Sequence, residues 1–102
     1  MFFNKIALAY NGTEISNTRI SIDRLKFIFE GGDTTYWYFH YQDDITWTAD
    51  SEWGNVNQIL LFWDDGTTVT LLYTVDLGQT RYIYAGDQII LRGTNFKIKL
   101  PK

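Results

Sequence analysis

The chain contains no cysteine, so it forms no disulfide bond and offers no thiolate ligand to a metal ion. It has a single proline in 102 residues and no repeat or low-complexity tract, so we expect one domain spanning residues 1–102. No apolar run approaches the ~20 residues of a membrane-spanning helix, and the N-terminal residues lack a signal-peptide pattern. We therefore expect no membrane association. The expected location is a virus particle assembled in the bacterial cytoplasm, and otherwise the cytoplasm.

Positive charge is absent from a long central block, because Phe27 to Thr80 contains neither lysine nor arginine. The two flanks hold all nine basic residues, and the chain has a net charge of −3. Charge separated in this way favours association with a protein partner or with other copies of the same chain. The acidic balance, with a pI of about 4.9, argues against nucleic acid as a partner. Nine acidic residues lie in the central block: Glu30, Asp33, Asp43, Asp44, Asp50, Glu52, Asp64, Asp65 and Asp76.

The sequence also lacks the motifs of catalysis and cofactor binding. It has no glycine-rich nucleotide motif, no zinc-protease motif and no nucleophile elbow, and His40 is its only histidine. The pairs Asp43-Asp44 and Asp64-Asp65 are more typical of turns than of metal sites. The loop from Asp50 to Asn57 has oxygen ligands but not the spacing of a calcium loop. We therefore expect no enzyme activity, no cofactor and no metal.

What the chain does have is alternation of apolar and polar residues with a period of two, which is typical of half-buried strands. Ile6, Leu8 and Tyr10 alternate with smaller or charged residues, and Asn11-Gly12 then predicts a tight hairpin. Thr34 to Tyr41 has aromatic side chains on both faces. This strand is therefore predicted to be central in its sheet or to place one face in an interface.

Turn residues recur about every ten positions and divide the chain into eight to ten short strands. This pattern predicts an all-β fold, either a single antiparallel β-sandwich of jelly-roll-like type or a small barrel. The last strand, Phe96 to Leu100, alternates with lysines and is predicted to be a protected edge. The strands are predicted over residues 5–10, 13–16, 19–30 with a bulge or bend near Asp23-Arg24, 34–41, 45–49, 58–63, 67–75, 81–85, 88–91 and 96–100, with turns at residues 31–33, 64–66 and 76–79.

Four tryptophans fall within the acidic block. We expect Trp37, Trp47 and Trp63 to fill the core, and Trp53 to be exposed in the loop 50–57. Sugar-binding proteins place aromatic rings against the apolar faces of sugars and accept hydroxyl hydrogen bonds with carboxylates and amides. Tentative ligand- or partner-binding residues are accordingly Trp53, Glu52, Asp50, Tyr36 and Tyr38.

Taken together, these features favour a non-enzymatic structural or interaction protein that acts as a repeated subunit. A small bacteriophage virion component, in a capsid, tail or fibre, is the favoured example. Arg92, Lys97 and Lys99 form a tentative basic assembly surface for the acidic middle of a neighbouring copy. Alternatively, these bases neutralise acids within the same molecule. Two other functions stay open, namely a carbohydrate-binding module with a tryptophan and acid platform, and an acidic inhibitor of a host protein.

Overall fold

Antiparallel β-strands dominate the computed structural model, which describes residues 3–93 and 96–102. Within these residues there are ten strands and no α-helix, with a short 3₁₀ turn at Arg24–Lys26, and this confirms the all-β fold class. The strands are β1 (Lys5–Tyr10), β2 (Thr13–Glu14), β3 (Ile20–Ser21), β4 (Phe27–Gly32), β5 (Tyr36–Tyr41), β6 (Ile45–Thr48), β7 (Gly54–Asp64), β8 (Val69–Ile83), β9 (Gln88–Leu91) and β10 (Lys97–Pro101).

Contacts divide the chain into two units. The first comprises residues 1–24 and 48–88, and the second comprises residues 25–47 and 89–102. In the first unit the strand order is β2-β1-β7-β8, and β3 also pairs with β1. Strands β7 and β8 form a long antiparallel hairpin whose register pairs Asp64 with Val69 at one end and Gly54 with Ile83 at the other.

The core of the first unit lies on both faces of the central strands β1 and β7. Ile6 and Leu8 on β1, with Ile59 and Leu61 on β7, are at most 2% exposed. The alternate residues form a second buried cluster of Ala7, Ala9, Leu60 and Phe62. Burial on both faces explains why residues 58–63 form an almost continuous apolar run instead of alternating.

Both predicted hairpins of this unit are confirmed. Asn11 and Gly12 have φ angles of 47° and 87°, and they connect strands that pair Tyr10 with Thr13. This left-handed backbone at both positions matches the right-handed twist of the flanking strands. At the β7–β8 turn, the Asp65 carboxylate accepts hydrogen bonds from the N–H groups of Thr67 and Thr68. The acid pair Asp64-Asp65 is therefore part of a hairpin turn that its carboxylates stabilise.

The second unit contains a three-stranded sheet of order β10-β5-β4. Strand β5 is central, which is one of the two alternatives that its two aromatic faces predicted. Strand β10 is an edge strand that carries Lys97 and Lys99. At one end of the sheet the rings of Phe27, Tyr41 and Phe96 pack edge to face or tilted, with centroids 4.9–5.8 Å apart. Strands β6 and β9 form a separate two-stranded sheet.

Several predicted boundaries are wrong. The turn predicted at 31–33 begins later, because Gly31 and Gly32 still belong to β4 and pair with β5. Residues 19–30 do not form one strand with a bulge, because β3 and β4 are separated by the 3₁₀ turn at 24–26. The predicted turn at 76–79 is a bulge inside β8, where the register moves from Gln58–Asp76 to Val56–Arg81. The predicted loop 50–57 ends early, because β7 already begins at Gly54.

The tryptophans also divide differently from the prediction. Trp47 is buried, at 3% exposure, whereas Trp37 is 42% exposed and therefore does not fill the core. Trp63 and Trp53 are both half-buried. The ring of Trp37 lies over Gly32, because a Cβ atom added at Gly32 would come within 2.8 Å of the indole. This glycine leaves room for a tryptophan that stays at the surface.

Candidate functional site

The three residues predicted to form a tryptophan and acid platform, Asp50, Glu52 and Trp53, lie in the first unit just before β7. The backbone N–H of Trp53 donates to the carbonyl of Ile83, 3.0 Å away, which fixes the residue against the end of β8. The carboxylate of Glu52 accepts a hydrogen bond from the Tyr82 hydroxyl, and this bond raises the pKa of Tyr82. Asp50 accepts a hydrogen bond from the hydroxyl of Ser51 at 3.3 Å.

A surface groove of about 490 Å³ lies beside Trp53. Neither Asp50 nor Glu52 is among its lining residues, so the acids and the tryptophan do not form a common platform there. The other lining residues come from the β1–β2 hairpin and from the start of β7. The groove is lined by Tyr10, Asn11, Thr13, Ile15, Trp53 and Asn55.

Tyr36 and Tyr38 lie in the second unit, on the same face of β5. The Tyr36 ring lies under the ammonium group of Lys99, with 4.6 Å between Nζ and the ring centroid. The Tyr38 hydroxyl donates to the carboxylate of Asp33, which also accepts hydrogen bonds from the N–H groups of Thr35 and Tyr36. These bonds lower the pKa of Asp33 from 3.8 to about 2, and the Tyr38 hydroxyl is the largest contributor.

Asp33 makes the stability of the β4–β5 hairpin dependent on pH. Because its pKa is lower in the folded state, Asp33 stabilises the fold fully above pH 3.8, and this contribution is lost as the pH falls toward 2. We therefore expect Asp33→Asn to lower the melting temperature at neutral pH, with the difference from wild type closing as the pH falls toward 2. Circular dichroism melts across this range test the prediction. A difference in melting temperature between wild type and Asp33→Asn that is the same at neutral pH and at pH 2 would contradict the prediction.

The three predicted basic residues lie in the second unit, and two of them already have partners within the chain. Arg92 forms an ion pair with Asp44 at 2.8 Å, and Lys99 lies over the Tyr36 ring. The side chain of Lys97 is exposed on the edge strand β10. Intramolecular pairing therefore accounts for part of this basic surface.

Strand β8 forms an edge of the sheet in the first unit, and several of its apolar side chains reach solvent. Val69 is 40% exposed, Leu71 is 49% exposed and Tyr73 is 37% exposed. Within the described part of the chain, β8 pairs with β7 on one side and with no strand on the other. The part of β8 from Val69 to Val75 has no charged residue, and neither do the two threonines before it. A long apolar edge without charge is a place where another strand can pair.

The direction of the free backbone groups on β8 follows from its pairing with β7. The Phe62 carbonyl accepts a hydrogen bond from the N–H of Asn4, beside β1, so the backbone groups of Phe62 point away from β8. Leu71 is the partner of Phe62 in the ladder, and the two therefore form a non-hydrogen-bonded pair. The N–H and C=O of Leu71 point outward in consequence, as do those of Val69 two residues earlier. The register shift after Leu71 ends this regular segment.

Sequence reasoning named Trp53 and the loop that holds Asn55, but it named neither the β8 edge nor the part that the β1–β2 hairpin has in the groove. The absence of charge from Thr67 to Val75 is the one signal that could have pointed to the edge. Among residues 3–93 and 96–102, no group of three or more histidine or acidic side chains is placed to hold a metal ion. No helix in the same residues has the length and apolarity needed to cross a membrane. Comparisons with protein-family models, with curated proteins and with solved structures find no match for this chain.

Proposed function

We propose that the chain is a non-enzymatic subunit that associates with other copies of itself, and that strand β8 provides the contact. The observation that carries the proposal is the uncharged, unpaired edge at Val69 and Leu71, where apolar side chains and free backbone groups coincide. A partner strand satisfies the backbone groups and removes the side chains from water in one step.

The other edges of the two larger sheets carry features that discourage pairing. Strand β10 has alternating lysines and ends at Pro101, and β4 has a bulge at Glu30. Strand β2 has only two residues. Among the edge strands in the described part of the chain, β8 offers the longest uncharged segment. This contrast favours β8 as the contact.

A second copy is the partner that fits this edge best, because antiparallel pairing about a two-fold axis uses the same segment twice. With Thr70 on the axis, Val69 of one copy lies opposite Leu71 of the other. Their outward backbone groups then exchange both hydrogen bonds. The uncharged segment places no like charges across the new pair. The register shift after Leu71 keeps the paired segment short, so we expect a weak, reversible dimer.

A weak contact suits a repeated subunit, because many such contacts act together in an assembly. The proposed setting is a bacteriophage virion, in which the chain contributes to the capsid, tail or fibre. The cysteine-free sequence supports this setting, since such a particle is assembled in a reducing cytoplasm. Mass spectrometry of purified phage particles tests it. The chain is expected in repeated copies in the particle, and its confinement to the lysate would contradict the setting.

Light scattering coupled to size-exclusion chromatography tests the dimer. We expect the mass of the wild-type protein to rise from monomer to dimer with concentration. Leu71→Lys is expected to raise the dissociation constant about tenfold or more, because an apolar contact is lost and a charge enters the paired strip. Gln79→Lys is the matched control, since it adds the same charge to the same strand, at an exposed residue outside the regular segment.

Two outcomes distinguish whether the protein self-associates from whether β8 forms the contact. A wild-type protein that stays monomeric up to about 1 mM, well above the range of specific association, would contradict self-association. A dimer that Leu71→Lys and Gln79→Lys weaken equally would retain self-association but place the contact elsewhere. Backbone amide shifts of Val69 and Leu71 on dilution provide a second readout that needs no substitution.

A further inference from the structure

We infer that the groove beside Trp53 binds a neutral saccharide. The groove volume of about 490 Å³ lies within the ~300–1,000 Å³ of small-molecule sites. None of its lining side chains carries a formal charge, although the surrounding block of the sequence is acidic. An ionic ligand would find no counter-charge in this lining, so the chemistry favours a neutral ligand.

Trp53 presents an apolar surface to this groove. The side chain is half-buried, and its only polar atom, Nε1, is inaccessible to solvent. The part of the indole that solvent reaches therefore consists of carbon. Tyr10 adds a second ring to the lining. Aromatic carbon of this kind packs against the C–H face of a pyranose ring.

Polar groups for sugar hydroxyls lie at the same place. Asn55 and Thr13 are exposed, and their side chains make no hydrogen bond within the chain as far as the described residues extend. An amide and a hydroxyl both donate and accept, as a sugar hydroxyl requires. An acyl chain or another purely apolar ligand would leave these groups unpaired, which favours the saccharide.

The groove wall is held in place before any ligand binds. The side-chain Oδ1 of Asn57 accepts from the N–H of Asn11 at 3.0 Å, and the side-chain Nδ2 of Asn57 donates to Oδ1 of Asn11 at 2.9 Å. The N–H of Gly12 donates to Gln58, 2.6 Å away. These bonds fix the β1–β2 hairpin against β7. A preformed wall reduces the ordering that binding requires.

Titration of isotope-labelled protein with neutral oligosaccharides derived from starch, cellulose and chitin tests the site. We expect at least one of them to shift the backbone amides of Asn11 and Asn55 and to quench tryptophan fluorescence. Because no ion pair forms, the affinity should be the same within twofold at low and high salt. Trp53→Ala is expected to weaken binding about tenfold or more through lost stacking.

Trp37→Ala provides the matched control, because it removes an exposed tryptophan in the second unit and should leave the affinity unchanged. Asn55→Ala tests the same site without removing a ring and should weaken binding by removing the amide that pairs with a sugar hydroxyl. The inference fails if none of the oligosaccharides shifts these amides, if octanoate shifts them instead, or if Trp37→Ala and Trp53→Ala weaken binding equally. Sugar binding by the Leu71→Lys variant would separate this site from the proposed dimer contact.

Discussion

Leu61→Ala is expected to lower the free energy of unfolding by about 3–4 kcal/mol, since leucine-to-alanine changes in a close-packed core remove apolar contacts and leave a cavity. Leu61 is completely buried on β7, between strands β1 and β8. Its ladder partners are Ile6 on one side and Tyr73 on the other. Little of the space that it leaves can be refilled, because β7 is held by hydrogen bonds along both edges.

Leu71→Ala is the matched control for this measurement. The residue type and the change are the same, but Leu71 is 49% exposed on the edge strand. We expect a loss of less than about 1 kcal/mol in the monomer. Urea denaturation at low protein concentration gives both values, since self-association would otherwise add to the apparent stability. Equal losses for the two variants would contradict the assignment of β7 as central and β8 as edge.

The sequence predicts best the features that depend on neighbouring residues. The Asn11-Gly12 hairpin and the turn at Asp64-Asp65 have local causes, namely left-handed backbone and carboxylate-to-backbone hydrogen bonds. The all-β fold class follows from period-two alternation repeated along most of the chain. Strand β5 was predicted either to be central or to place one face in an interface, because apolar side chains occupy both of its faces, and it is central in its sheet.

Features that depend on pairing between strands distant in sequence are harder to predict from the sequence. Asp76 to Gln79 has the composition of a turn, and Gly78 adopts a φ of 81°, yet the ladder with β7 resumes at Arg81. A turn and a bulge require the same local chemistry, and only the partner strand distinguishes them. The sequence did not predict that Trp47 is buried and Trp37 exposed, for a similar reason. The residues that cover each face of a strand come from elsewhere in the chain.

The same limit applies to the candidate sites. Trp53 was identified because it lies in a predicted surface loop, where an exposed ring can stack on a ligand. Tyr10 and Thr13 are about forty residues earlier and reach the groove through the pairing of β1 with β7. The acids nearest to Trp53 in sequence do not line the groove. Whether a strand is central or at an edge is also a property of the whole sheet. The uncharged stretch of β8 indicates an exposed edge only when it is known that β7 is its single neighbour.

Gly93→Ala is the second substitution with a large expected effect, and its cause is a close approach between backbone segments. A Cβ atom at Gly93 would lie 2.5 Å from the carbonyl oxygen of Tyr41 and 2.6 Å from that of Asp43. Backbone atoms cannot move aside as a side-chain end does. The N–H of Gly93 also donates to Asp44 at 2.9 Å, and this bond is the largest cause of the lowered pKa of Asp44.

We expect Gly93→Ala to lower the free energy of unfolding by about 3 kcal/mol, at the upper end of the overpacking range. In a domain of this size, such a loss lowers the melting temperature by roughly 10 °C or more. Gly66→Ala is the matched control, because Gly66 has a φ of 91° but no atom within 4 Å of an added Cβ. Its cost is limited to the left-handed backbone, about 1–2 kcal/mol.

Comparison of the two glycine variants separates steric contact from backbone preference. We expect Gly93→Ala to be the less stable of the two, and NMR titration to show the pKa of Asp44 moving back toward its ordinary value. This second change follows because the displaced N–H no longer stabilises the carboxylate. A Gly93→Ala variant that is as stable as Gly66→Ala and keeps the lowered pKa would mean that the backbone carbonyls of Tyr41 and Asp43 do not confine this glycine.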